Sequence, residues 1–202
     1  MSKNKHILIL YSVLALALLA IGYELLQPTG ETNVKKDKSS LSDNRTFFWE
    51  IYPELVIPNA GKIIDKELKL RDQHDAEISI QEILKKAPLL VFRYSRYDCD
   101  LCIDQVLGKL KPVFKGYEQK VCLIIDGMTE REFRMKYKDR EISFSAYFVA
   151  KDNLGLSLEN KNLPFLFVLT EEVKANQIFI PFREHPGQTD TYLKNIKAQL
   201  RD

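Results

Sequence analysis

The sequence predicts an α/β domain built on a mixed central sheet with helices on both faces. Residues 89–94 (LLVFRY) and 121–125 (VCLII) are almost continuous apolar runs, the pattern of strands covered on both faces. Between them Ile103, Val106, Leu107 and Leu110 recur at helical spacing. Strand, helix, strand makes a parallel pair with a right-handed crossover. Further along, residues 165–169 and 177–182 are strand-like runs joined by the polar turn 170–176, an antiparallel hairpin. Thr189 then opens a last helix carrying Tyr192, Leu193, Ile196 and Leu200.

The remaining elements follow from local signals. Residues 55–57 and 63–70 flank the turn cluster Pro58-Asn59-Ala60-Gly61 and predict an N-terminal hairpin. Ser79 and Glu82 have capping-box spacing before Ile83 and Leu84, so a short helix runs to about Lys86, and Pro88 ends it. Thr129 caps a helix over 129–138, with Phe133 and Tyr137 one turn apart. Residues 144–150 read as a short strand.

The first 46 residues have a different composition. Residues 7–26 are apolar on every face, with one charge, Glu24, near the end. A helix of that length rises about 30 Å, the thickness of a bilayer's hydrocarbon core. The expectation for residues 1–26 is a retained membrane anchor. Ala20-Ile21-Gly22 has small-x-small form, so a cleaved signal is the competing reading, and no Cys near the run is available for acylation. Residues 27–46 (QPTGETNVKKDKSSLSDNRT) have only Val34 and Leu41 as aliphatic residues, and are expected to form a flexible linker. From Phe47 to the C-terminus the composition is globular and of single-domain size, with Phe47, Phe48 and Trp49 expected to seal one edge of the core.

Charge and cysteine content narrow the function. Thirty Lys and Arg against 28 Asp and Glu give a net charge of +2, which offers no electrostatic case for nucleic-acid binding. Three cysteines are too few for a disulfide scaffold, but Cys99-Asp100-Leu101-Cys102 is a C-x-x-C at the junction of a buried strand and a helix. A cysteine at a helix N-terminus faces unpaired N–H groups and the positive end of the dipole, both of which favour a thiolate. Cys102, one turn on, shares its face and is placed to resolve a mixed disulfide. Asp98 and Asp100 flank the first cysteine and oppose a thiolate by like-charge repulsion, so the three local effects compete.

Residues 89–102 (LLVFRYSRYDCDLC) and their surroundings resemble the thioredoxin fold, and more narrowly the membrane-tethered thiol–disulfide oxidoreductases of the TlpA/ResA type. The resemblance spans about residues 53–200. It includes the N-terminal hairpin at 55–70, an inserted α/β segment at 127–150, and an X-Pro step, Leu163-Pro164, opening the strand at 165. It implies a three-layer thioredoxin-like domain preceded by one transmembrane helix. Cys99 would be the attacking cysteine and Cys102 the resolving one. Leu163 and Pro164 would dock the partner, with a cis bond between them and Pro164 keeping metals off the dithiol. It implies protein thiols and disulfides as partners, a membrane redox partner among them, with no cofactor and no resident metal. The folded domain would lie on the periplasmic side of the inner membrane. Five positions depart from the family pattern, among them Leu163, which is bulkier than the usual small or β-branched residue before the proline. Asp98 stands where thioredoxins have Trp, Asp100-Leu101 replaces Gly-Pro, and Arg93 occupies the strand position of an acid. Arg93 is expected to favour a thiolate or to pair with Asp98.

Bland readings compete at each position. Cys99 and Cys102 are also compatible with a structural disulfide in a non-catalytic binding module, with half a zinc site completed by Cys122, His74 or His185, or with copper delivery using His185. Cys122 is expected to be a core residue, His74 to be solvated, and His185 to sit in the loop before the last helix. The basic stretch 131–140, interleaved with acids, reads as a solvated helix face. A peroxiredoxin is disfavoured because Arg96 stands where such enzymes carry Thr or Ser, three residues before the attacking cysteine.

Overall fold

In a computed structural model, residues 50–149 and 154–200 are described. The expected anchor, the linker and the aromatic cluster Phe47, Phe48 and Trp49 lie outside them. Among the described residues no helix is long and apolar enough to cross a membrane.

Strand β4 (Leu89–Ser95) is the axis of the fold, and all seven of its residues are buried. On one side it pairs in parallel with β5 (Val121–Asp126), which pairs in parallel with β6 (Ser145–Val149). On the other it pairs antiparallel with β7 (Phe165–Leu169), which turns back into β8 (Lys174–Phe179). Helix α3 (Asp100–Val113) makes the crossover from β4 to β5. The short α4 (Glu130–Lys136) joins β5 to β6, and α5 (Pro186–Gln199) ends the chain's regular structure. This is the mixed sheet that two doubly buried apolar runs and a C-terminal hairpin predicted.

Two cores follow from the alternation of side chains along the strands. Phe92 and Tyr94 point to one face, where Ile103, Val106 and Leu110 of α3, Phe133 of α4, and Leu193 and Ile196 of α5 cover them. Val91, Ile124, Phe165 and Phe167 point to the other face, joined by Ile80, Ile83, Leu156 and Leu158. Each such side chain contributes about 1.5–3 kcal/mol on burial. Cys122 belongs to this second core as a free thiol 2% exposed, and burial pushes it up to about 12.

The N-terminal hairpin expected at 55–57 and 63–70 does not form. Residues 52–56 are instead helix α1 (Tyr52–Val56), continued by a 3-10 turn at Ile57–Asn59. Pro53 lies at the start of α1, where its fixed φ suits a helix and its missing N–H costs nothing, and Glu54 in the first turn favours the dipole. Asn59 is fully buried and locks the turn. Its amide nitrogen donates to the Leu55 carbonyl and to Ser157 Oγ, and its Oδ1 accepts the Ser157 N–H. The strand that follows, β1 (Lys62–Ile63), pairs with β8 at one edge of the sheet. The observed hairpin is β2 (Lys69–Arg71) with β3 (Glu77–Ser79), at the opposite edge beyond β6. The full order is β1-β8-β7-β4-β5-β6-β2-β3. Ser79 and Glu82 do form their capping box, at the start of α2 (Ile80–Ile83). Strand β8 begins three residues earlier than its apolar content suggests, because the turn from β7 is complete at Val173, whose N–H donates to the Thr170 carbonyl.

Candidate active site at the end of strand β4

The chain leaves β4 through a turn whose hydrogen bonds are almost all local. The Ser95 N–H donates to Asp98 Oδ2 at 2.8 Å and the Asp98 N–H returns a bond to the Ser95 carbonyl at 3.1 Å. The Tyr97 N–H donates to Ser95 Oγ at 3.2 Å, and the Arg96 N–H reaches across to the Asp126 carbonyl at 3.0 Å. Gly127 supports this turn from below. It has φ +66, and a Cβ there would lie 3.3 Å from Arg96 Cγ and Tyr97 Cε2.

Cys99 is the N-cap of α3. Its backbone is non-helical, its carbonyl accepts the Ile103 N–H, and its Sγ accepts the Cys102 N–H at 3.3 Å. Cys99 and Cys102 form a disulfide with Cα atoms 5.3 Å apart. Cys99 is exposed and Cys102 half-buried. Two large exposed side chains flank the cystine, Tyr97 at 72% and Leu101 at 59%. The geometry places an exposed cysteine at the positive end of a 14-residue helix, with its partner one turn on.

The flanking carboxylates are arranged differently from a simple repulsive pair. Asp100 is exposed and ion-paired with Lys136 of α4, so its charge is offset locally. Arg140 makes a bidentate pair with Asp104 one turn further along α3, at 2.6 and 2.9 Å. Asp98 turns inward and its side chain is fully buried.

Beneath the turn lies a charge cluster assembled from four elements. Arg93 of β4 is fully buried. Its Nη2 donates to Asp126 Oδ2 of β5 at 3.2 Å, its Nη1 lies 3.8 Å from Asp98 Oδ2, and its Nε lies 3.7 Å from Glu159 Oε1. Its guanidinium sits over the Phe165 ring of β7, 5.7 Å from the centroid. Glu159 comes from the 3-10 turn Ser157–Lys161, where its oxygens accept the Leu154 and Leu156 N–H groups. Burial pushes the Asp98 carboxyl above the usual carboxylate range. The Ser95 N–H and Arg93 oppose that rise, and the nearby Asp126 adds to it. Arg93 does pair with Asp98, but its shortest contact is to Asp126, which with Glu159 was not singled out from the sequence. The available signal was Arg93 itself, since a guanidinium inside an apolar strand run requires buried counter-charges.

The sheet register sets Phe165 opposite Arg93, so Leu163 and Pro164 enter β7 beside the end of β4 that leads to Cys99. The expected cis bond is not there. The Leu163–Pro164 bond is trans, and the cis X-Pro bond among the described residues is Ala87–Pro88. The chain reversal into β7 is made instead by Asn162, left-handed at φ 52, ψ 37. Pro164 is buried and Leu163 half-buried against the second core. His185 is the N-cap of α5, and His74 lies in the turn between β2 and β3, bonded through its N–H to Asp72 Oδ1. Among the described residues no group of three or more His, Cys, Asp or Glu side chains is placed to hold a metal ion.

No protein-family model matches this chain, and no curated protein sequence matches it. Solved structures do. The thioredoxin domain of a thiol-disulfide oxidoreductase from Bacteroides vulgatus aligns over 71% of this chain and 99% of its own, at 13% identity and a TM-score of 0.51. A thiol:disulfide interchange protein from Bacteroides sp. aligns over 71% of this chain and 91% of its own, at 13% identity and the same TM-score of 0.51. The peroxidoxin BcpB from Mycobacterium tuberculosis aligns over 71% and 96% respectively, at 14% identity and again a TM-score of 0.51. The fold is therefore thioredoxin-like. The C-x-x-C of this chain lies where its central strand hands over to the first long helix.

Proposed function

We propose that this protein is a thiol–disulfide oxidoreductase acting through Cys99 and Cys102. The observation that carries the reading is the exposed Cys99 at the N-terminus of α3, disulfide-bonded to the half-buried Cys102, on a thioredoxin-like sheet. In the dithiol form the Cys99 thiolate attacks one sulfur of a partner's disulfide, and the partner's other sulfur leaves as a thiolate. Cys102 then attacks Cys99, releasing the partner's first sulfur and closing the Cys99–Cys102 disulfide. Two electrons pass to the partner, and the reverse sequence oxidises a partner dithiol. Tyr97 and Leu101 offer apolar contact to a polypeptide partner on either side of the reacting sulfur. The apolar run 7–26 and the polar run 27–46 support a single-pass inner-membrane tether with the domain held on the periplasmic side, next to a membrane redox partner.

The test is a cysteine pair of variants. Cys102→Ser should accumulate mixed disulfides with partner proteins, and Cys99→Ser should abolish reduction of insulin disulfides. If the wild-type dithiol reduces no disulfide and Cys102→Ser traps nothing, the cystine is structural and the domain is a binding module.

A further inference from the structure

Three ion pairs join the C-x-x-C segment to α4 and the turn after it, and they share one register. Arg96 pairs with Glu132 at 3.2 Å, Asp100 with Lys136, and Asp104 with Arg140 at 2.6 Å. Each partner lies 36 residues further along the chain, so both sides advance one helical turn per rung. The ladder brackets Cys99, with one rung on the turn before it and two on α3 after it. Its α4 side is held in place. Glu132 accepts the Thr129 N–H at 2.8 Å within the capping box. The Lys136 Nζ and the Arg140 guanidinium lie over the ring of the buried Tyr137, 5.7 and 5.8 Å from its centroid. An isolated surface pair contributes little, because solvent screens it and two long side chains must be ordered. Here a network shares the ordering, and the Lys136 side chain is only 32% exposed.

The middle rung touches the chemistry. Asp100 follows Cys99 directly and is the acid of α3's first turn, where the helix dipole favours negative charge. A thiolate at Cys99 occupies the same end of the same helix, so carboxylate and thiolate compete for it and repel one another. We propose that Lys136 is a positioning residue for Cys99: by holding the Asp100 carboxylate in an ion pair it favours the thiolate and makes the Cys99–Cys102 couple more oxidising. This deepens the oxidoreductase reading and rests on Cys99 being the attacking cysteine. The effect on the couple follows from the exchange itself. Two glutathione thiols deliver two electrons and two protons to the cystine and leave joined as glutathione disulfide, after which Cys99 passes its proton to solvent. Whatever stabilises that thiolate stabilises the reduced form and draws the equilibrium toward it. Lys136 therefore biases the domain toward accepting electrons from partner dithiols.

The experiment uses the full-length protein and two readouts that need no protein partner. The first is the pH midpoint of iodoacetamide alkylation at Cys99 of the reduced protein, followed by mass. The second is the equilibrium of the cystine with a glutathione redox buffer, at a pH above that midpoint. Wild type, Lys136→Met, Lys136→Arg, Asp100→Asn and the Lys136→Met, Asp100→Asn double variant are compared. Lys136→Met should raise the midpoint by about half a pH unit and move the equilibrium about threefold toward the disulfide, the scale of one partly exposed charge pair. Lys136→Arg should restore both values. In the Asp100→Asn background the Lys136→Met change should lose most of its effect. Unmoved values in Lys136→Met would overturn the proposal. An effect of equal size with and without the Asp100 charge would overturn it as well, since Lys136 would then act on Cys99 without its partner. The expected shifts in a domain that reduces no insulin disulfide would uphold the role of Lys136 and refute the oxidoreductase reading alone.

Discussion

Replacing Arg93 by Met isolates what the guanidinium does. Methionine keeps an unbranched apolar stem of similar length against Phe165 and removes the charge. In the wild type that charge lies 3.2 Å from Asp126, 3.7 Å from Glu159 and 3.8 Å from Asp98, all within the interior. Removing one partner of a buried pair costs about 3–5 kcal/mol, because the counter-charges stay buried. For a domain of this size that is a fall in Tm of about 6–20 °C. The cost must depend on pH. Without Arg93 the Asp98 carboxyl rises further, so the lost stability is fully visible near pH 8 and shrinks as the pH falls below the unfolded-state carboxylate range. The assay is urea denaturation of both proteins at pH 4 and pH 8. An equal loss at the two values would assign the effect to packing, and no loss at pH 8 would refute the claim that Arg93 compensates these carboxylates.

Other expectations are simpler. A tagged full-length protein should fractionate with membranes and resist carbonate extraction; a soluble species beginning near Tyr23 would show that residues 7–26 are a cleaved signal. Cys122 should resist iodoacetamide in the native protein at pH 8 and react at once in denaturant, because burial pushes its thiol to about 12. Rapid native labelling at Cys122 would contradict its place in the second core. Gly127→Ala should lower stability by more than about 1 kcal/mol, since it places a Cβ at φ +66 against Arg96 and Tyr97, and an unchanged melt would show that the turn yields.

How legible the molecule was depended on how local each signal is. Strands β4 and β5 announce themselves because both faces are buried and nearly every residue is apolar. The helix between them is legible because Cys99 marks its start and four core residues follow at fixed spacing. The N-terminal segment was misread because Ile57, Ile63 and their neighbours have strand-like content, whereas Pro53 and the buried Asn59 decide the local geometry. Two-residue strands such as β1 carry no periodicity at all. The site divides in the same way. The cystine and Asp98 are contiguous in sequence. Asp126 and Glu159 reach Arg93 across 33 and 66 residues, so only the tertiary fold brings them together. The cis bond expected at Leu163–Pro164 was imported with the family resemblance, and here Asn162 reverses the chain in its place.

The order of strands also constrains how the chain can assemble. Lys62 pairs with Ala175 and Ile63 with Lys174, so an early strand completes an edge provided by a late one. The β4–α3–β5 crossover closes over little sequence and can form once those residues are available. Strand β1 has no partner until β7 and β8 have turned back onto β4, and loops that long close slowly. During synthesis from the N-terminus the segment around Ile57 and Ile63 must therefore wait, unpaired and apolar, through more than half the domain. That interval is when the chain is most open to chaperone capture or misassociation.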